Sequence, residues 1–350
     1  MKRFAICLVV GGATLAAAIP ATASAPTWHS TTLDNPAFPG FVGVGASSAS
    51  DVWAVGENDA DRETPYAQHW NGSSWTSVPV PLPGPSSDIL DGGLFGVSAL
   101  SASQAWAVGW HDTGNFSQSQ PMVQRWNGSA WRVMSTPNVA PQSFLTDVAA
   151  ITPTNVWAVG GTPSGPLVEH WNGTAWTHVT TPGTGQLEGV KAISASSVFA
   201  VGQDEILHYN GTSWSTVSFP GADPNVVISQ VNRVPQTTHL WAVGYDSTTS
   251  TPTPVALYYN GSTWASIPPP QRGSLAGVAA NSQTDVWAAG TRSNGGAYVV
   301  HWNGSAWSVV SGTALNVGQV AHMTKTPGSP VLWAVGSSVN TAGLFAAVYR

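Results

Sequence analysis

Trp53-Ala54-Val55-Gly56, followed seventeen residues after Trp53 by Trp70-Asn71-Gly72-Ser73-Ser74-Trp75, is the stretch that decides the fold, because both halves recur along the chain. The tetrapeptide returns at Trp106, Trp157, Trp241 and Trp333. Phe199-Ala200-Val201-Gly202 and Trp287-Ala288-Ala289-Gly290 are variants, which makes seven copies. The second half, aromatic-Asn-Gly-x-x-Trp, recurs from Trp126 to Trp131, Trp171 to Trp176, Tyr209 to Trp214, Tyr259 to Trp264 and Trp302 to Trp307. Self-similarity of this kind marks a repeat architecture. The seventh unit is split: the chain stops at Tyr349-Arg350, where an Asn-Gly turn is due, and Thr27-Trp28-His29-Ser30-Thr31 supplies the missing strand from the opposite end.

Each unit reads as four short strands. Strand A holds a Val (44, 97, 148, 190, 231, 278, 320), strand B the Trp-Ala-Val-Gly, strand C the aromatic before Asn-Gly and strand D the Trp after it. Asn-Gly favours a type I′ hairpin, so C and D pair antiparallel. Seven such sheets arranged radially protect their edges, so the reading is an all-β, seven-bladed β-propeller of four antiparallel strands per blade, closed when the N-terminal strand completes the C-terminal blade. From the strand A Val to the strand B aromatic the distance is nine residues in five blades, ten in the fifth and thirteen in the seventh, and C to D is always five. B to C and D to A vary far more. By parity those two connections emerge on one face, which places function there.

The unit Ser196-Ser197-Val198-Phe199-Ala200-Val201-Gly202-Gln203-Asp204-Glu205-Ile206-Leu207-His208-Tyr209-Asn210-Gly211-Thr212-Ser213-Trp214 resembles the repeats of bacterial seven-bladed fucose-binding lectins. It also resembles the propeller of photosystem II assembly factors and, more loosely, the Asp-box of sialidases. The resemblance spans residues 24–350 and implies the architecture. It carries no ligand-binding residue across, and Asn stands where the Asp-box has its acid.

Lys2 and Arg3 precede an apolar run from Phe4 to Pro20, and Ala21-Thr22-Ala23 fits a cleavage site. Residues 1–23 therefore read as a secretory signal and 24–350 as a single propeller domain of an exported, extracellular protein. The one cysteine, Cys7, lies in the signal without the flanking residues of a lipoprotein, so neither lipid anchor nor disulfide is expected. Removing Lys2 and Arg3 from eleven basic residues leaves nine against seventeen acids, about −8. A basic surface for nucleic acid is absent from that balance, no later run suits membrane insertion, and the reading is of a monomer.

Seventeen of the 18 tryptophans belong to the repeat and read as core. The exception, Trp110, opens the blade 2 B–C loop beside His111 and Asp112; Tyr245 and Asp246 hold the matching place in blade 5, and Glu57 in blade 1. With Arg272 and Arg292 these are the candidate ligand-binding residues, Trp110 as a stacking shelf. Glu57, Asp59, Asp61 and Glu63 form an acidic loop that could wrap calcium but lacks an EF-hand's glycine and terminal Glu, so a solvated loop is expected. His69, His170, His208 and His301 recur before the hairpin aromatic, yet symmetric positions lie too far apart for a shared zinc. The Asn-Gly-Ser/Thr turns and Asn115-Phe116-Ser117 match the glycosylation sequon and read as turn chemistry.

No catalytic motif stands out, and no cofactor is expected. The reading is binding without turnover, of an extracellular carbohydrate, on the face of the B–C and D–A loops. The alternatives are a glycoside hydrolase or polysaccharide lyase on the same face, or a scaffold for a protein partner.

Overall fold

The computed structural model describes residues 26–34, 40–59, 63–84, 91–112, 118–137, 139–270, 272–338 and 344–350, with Asp59, Asn316, Val317, Ser338 and Leu344 described by their backbone alone. Twenty-eight strands form seven antiparallel sheets of four. Blade 1 is β2 (Gly40–Ser48), β3 (Asp51–Asp59), β4 (Glu63–Trp70) and β5 (Trp75–Ser77), and the next five blades repeat that order. In blade 7, β26 (Gly318–Lys325), β27 (Leu332–Ser338) and β28 (Leu344–Tyr349) are joined by β1 (Trp28–Ser30). Trp28 pairs with Tyr349, and Thr27 and Arg350 exchange two backbone hydrogen bonds of 3.1 and 3.2 Å. The ring is closed as the split repeat predicts.

One aromatic triad, repeated seven times, explains the tryptophan content. The strand B aromatic of each blade inserts between the strand C and strand D aromatics of the next. Trp53 meets Trp126 and Trp131, each at 4.8 Å between ring centroids. Trp287 closes on Tyr349 at 5.3 Å and Trp28 at 5.8 Å, and Trp333 on Trp70 and Trp75, each at 5.5 Å. Each pair adds about 0.5–1.5 kcal/mol beyond its buried area. The recurring histidines serve the same framework. His69 stacks on Trp53 at 4.4 Å and bonds Asp51 at 2.6 Å, while His301 stacks on Trp287 at 4.4 Å and bonds Asp285 at 2.9 Å.

Three sequence expectations change in detail. In blade 7 the register aligns Met323, not Val320, with the strand A valines, since Met323 opposes Ala334 as Val44 opposes Ala54. The spacing to Trp333 is then ten residues, matching blade 5, and Val320 takes the place of Phe41. Secondly, the A–B turns are not uniformly fixed: five have two residues, but blades 5 and 7 have six (234–239 and 326–331). Thirdly, the C–D hairpins are not type I′, which needs Asn itself left-handed. Positive φ falls on Gly72 (100°) and its five counterparts, and no hairpin Asn shares it. Asn71 instead turns its Oδ1 to accept the N–H groups of Ser73 and Ser74 at 3.0 Å, the local capping at which Asn excels. The other five hairpin asparagines do likewise, so these sequons are read by the fold as turns. Asn115-Phe116-Ser117 and residues 1–25 lie outside the described residues.

Candidate functional site

The inner strands meet around a central channel, and each carries a β-bulge near its start, between Phe41 and Gly43 in blade 1 and at the matching place in all seven. A bulge bends the strand and re-aims the residues beside it. The residue after the bulge is Gly43, Gly96, Asp147, Gly189, Gln230, Gly277 and His322 in blades 1 to 7. Seven equal side chains cannot share the ring, because a Cβ on Gly96 would stand 2.7 Å from Asp147 Cα and one on Gly43 2.4 Å from Phe95 O. Glycines therefore leave space for three polar groups.

Those three groups plug the channel. Asp147 accepts the N–H of Val148 (2.8 Å) and, across the blade boundary, of Val190 (2.9 Å). Gln230 likewise reaches blade 6, accepting from Val278 N at 2.6 Å and donating to Met323 O at 2.8 Å. Its amide nitrogen also lies 2.7 Å from Nε2 of His322, whose Nδ1 faces the Val44 N–H at 3.4 Å. Burial, with Lys191 nearby, pushes His322 down to about 3. Burial raises Asp147 to about 6 against the pull of its two backbone donors. Asp147 and His322 line cavities on both sides, so this layer divides the channel into two mouths.

The mouth on the long-loop face is a cavity of about 380 Å³. Phe95 and Phe144, both half-buried, line it with Thr146, Glu188 and Ser229. Burial pushes the Glu188 carboxyl up to about 7. The opposite mouth, on the face of the A–B turns, holds about 330 Å³ and is lined by Lys191 and Lys325 among valines, alanines and a few polar groups such as Asn232 and Thr324.

The residues singled out from sequence lie elsewhere. Trp110 lies within the second strand of blade 2 (Gln104–His111) rather than in the loop after it, and at 6% exposed it is buried, as all 18 tryptophans are, and offers no shelf for a sugar ring. A Cβ built on Gly93 would lie 2.5 Å from Glu57 Oε2 and 3.0 Å from Trp110 Nε1, so blades 1 and 2 use both side chains to pack their junction. Asp112 is 1% exposed, and burial lowers the pKa of His111 against the opposing charge of Asp112. Asp246 caps its own loop by accepting from Thr248, half-buried Tyr245 lies beside it, Arg292 Nε donates to Ala297 O at 2.9 Å, and Arg272 is exposed. None of these eight lines either mouth. For the acidic loop, Glu63 sits opposite Asp59 in the β3–β4 hairpin, while Asp61 lies outside the described residues. Among the described residues no cluster of three metal-ligating side chains forms.

What the sequence reading missed is the inner strand itself. The signal was there: Asp147, Gln230 and His322 stand where the other four inner strands carry Gly43, Gly96, Gly189 and Gly277. Their meeting required the register across blades.

No family model and no curated protein matches the chain. Solved structures do. YCF48 bound to D1 peptide is 14% identical with a TM-score of 0.64, covering 93% of this chain and 99% of that one. YCF48 from Cyanidioschyzon merolae is 16% identical with a TM-score of 0.60, covering 91% and 98%. U3-55K is 9% identical with a TM-score of 0.61, covering 93% and 98%. The likeness at these identities is one of fold, and it includes the assembly-factor propellers that the repeat resembles.

Proposed function

We propose that this chain is an exported, non-catalytic binding protein that takes a protein partner at the long-loop mouth of its channel, with an apolar side chain of an extended segment seated between Phe95 and Phe144. The observation that carries the reading is that mouth: aromatic surface left partly open, edged by Thr146, Ser229 and Glu188, and large enough for a side chain or a small ligand. That a propeller of this shape is seen bound to a peptide, YCF48 with D1 peptide, supports it. Turnover finds little support at the same place. Asp147 has each oxygen committed to a backbone N–H, so Glu188 has no free second carboxyl among the lining residues to complete a glycosidase pair.

A carbohydrate ligand is the second reading, favoured by the same combination of aromatic face and hydroxyl edge, now on the two phenylalanines rather than on Trp110. One experiment separates the two. A random peptide display library and a glycan array are screened with the wild-type chain, and each best hit is titrated calorimetrically against Phe95→Ala and Phe144→Ala. Peptide hits weakened about tenfold or more, or roughly 1.4 kcal/mol, support the proposal. Glycan hits with that dependence select the carbohydrate reading, and hits indifferent to both substitutions remove the mouth from consideration.

A further inference from the structure

The opposite mouth presents a different chemistry. Lys191 and Lys325 both line it, and apart from Lys2 they are the only lysines in a chain of net charge −6. Placing two ammonium groups in one enclosure costs free energy through both desolvation and repulsion. Nothing in the repeat requires it: the inner-strand position of Lys191 is Gly45, Ser98, Ala149, Asn232, Ala279 and Thr324 in the other blades.

The two cations differ in how they are held. Lys325 Nζ donates to the carbonyls of Thr326, at 3.1 Å, and Ser329, which leaves one of its three N–H groups. Lys191 has no hydrogen bond or ion pair among the described residues. Burial lowers its pKa; Asp147 opposes that fall and Arg233 adds to it. Every other charged or titratable neighbour is committed. Asp147 is fixed by Val148 and Val190, burial keeps His322 neutral beside Gln230, and the Arg233 guanidinium donates to Thr237 O and Ile193 O at 2.6 and 2.9 Å.

We propose that this mouth is a carboxylate-binding site, in which the unpartnered ammonium of Lys191 and the third N–H of Lys325 receive a monoanionic carboxylate. The lining groups Lys191, Lys325 and Asp147 sum to one positive charge, which a monoanion neutralises and a phosphate dianion overshoots beside Asp147. The cavity, about 330 Å³, lies at the small end of the range for small-molecule sites. Two sources offer this chemistry, a free carboxylic acid and the C-terminus of a peptide chain. The site uses neither phenylalanine of the long-loop mouth, so it stands or falls apart from the function proposed above.

The test titrates the full chain with three probes, N-acetylglycine, a Gly-Ser pentapeptide with a free C-terminus, and the same peptide as its C-terminal amide, by calorimetry and amide NMR shifts. At least one free carboxylate is expected to bind, the amide to bind at least tenfold more weakly, and Lys191→Met and Lys325→Met each to weaken binding at least tenfold. Arg272→Gln, the same charge change on the other face, should leave it intact. A pentapeptide tenfold tighter than N-acetylglycine identifies a chain end as the source; equal affinity identifies the free acid. Failure of both carboxylates to bind wild type overturns the site, as does equal binding of the amide, equal loss in Arg272→Gln, or undiminished binding in Lys191→Met. Removing a desolvated ammonium should leave the melting temperature of Lys191→Met no lower than wild type. Should that variant fail to fold, Lys191→Gln and Lys325→Met carry the test.

Discussion

The outer three strands of each blade and the inner strand obey opposite rules. Outward of the channel the same kind of residue is wanted in every blade: a strand B aromatic between two aromatics of the next blade, seven times, and a hairpin Asn over its own turn, six times. At the inner-strand position after the bulge the same side chain cannot be repeated seven times, because the neighbouring blade's backbone stands too close. There, four glycines make room for Asp147, Gln230 and His322. In a symmetric ring, repetition therefore marks scaffold, and departures near the axis are where a site can be built.

That contrast can be broken most severely at the rim. Deleting residues 26–31 removes β1, exposes the edge of β28 and takes Trp28, 5% exposed, out of the triad with Trp287 and Tyr349. Loss of soluble, cooperatively melting protein is expected; a truncated chain with the wild-type melting temperature would show that the triads do not govern stability. Next comes Trp110, a departure from the repeat that lies off the axis. Trp110→Ala is expected to cost about 3–5 kcal/mol in denaturant unfolding, the usual loss for a buried Trp. An unchanged midpoint would return it to the status of a surface shelf.

The third prediction concerns Glu169, which is fully buried where blades 1 and 2 carry Gln68 and Gln124, each donating to a carbonyl of the incoming loop. Among the described residues neither Glu169 oxygen has a hydrogen-bond partner, and burial raises its pKa from 4.5 to about 8. The unfolded chain releases this proton near pH 4.5 while the folded chain keeps it to about pH 8, so stability falls as pH rises between those values and levels off above. Glu169→Gln has no proton to lose. Its unfolding free energy should lack that slope and exceed wild type by roughly 2–4 kcal/mol at pH 8, with little difference at pH 4. Parallel curves across that range would mean that Glu169 ionises freely in the fold.

The two rules also explain what was legible. Strand order, blade number and the closure by residues 27–31 were all readable, because each blade's demands fall within one repeat and recur until they are unmistakable. Trp110 misled because an aromatic outside the repeat was assumed to be outside the core; packing between Glu57 and Gly93 of neighbouring blades decided otherwise. Val320 misled because it is the one valine of its strand but stands at the Phe41 position, while Met323 fills the valine position three residues later.

By itself, then, the sequence determined the propeller, through local hairpins and a hydrophobic pattern that only radial stacking can bury. Tertiary structure alone decided the channel. Lys191 and Lys325 stand 134 positions apart, and Asp147 and Gln230 stand 83 apart. No periodicity links them, since each replaces a different residue of the repeat. They share a cavity only because seven inner strands end on one axis, where space and charge are allotted around the whole ring at once.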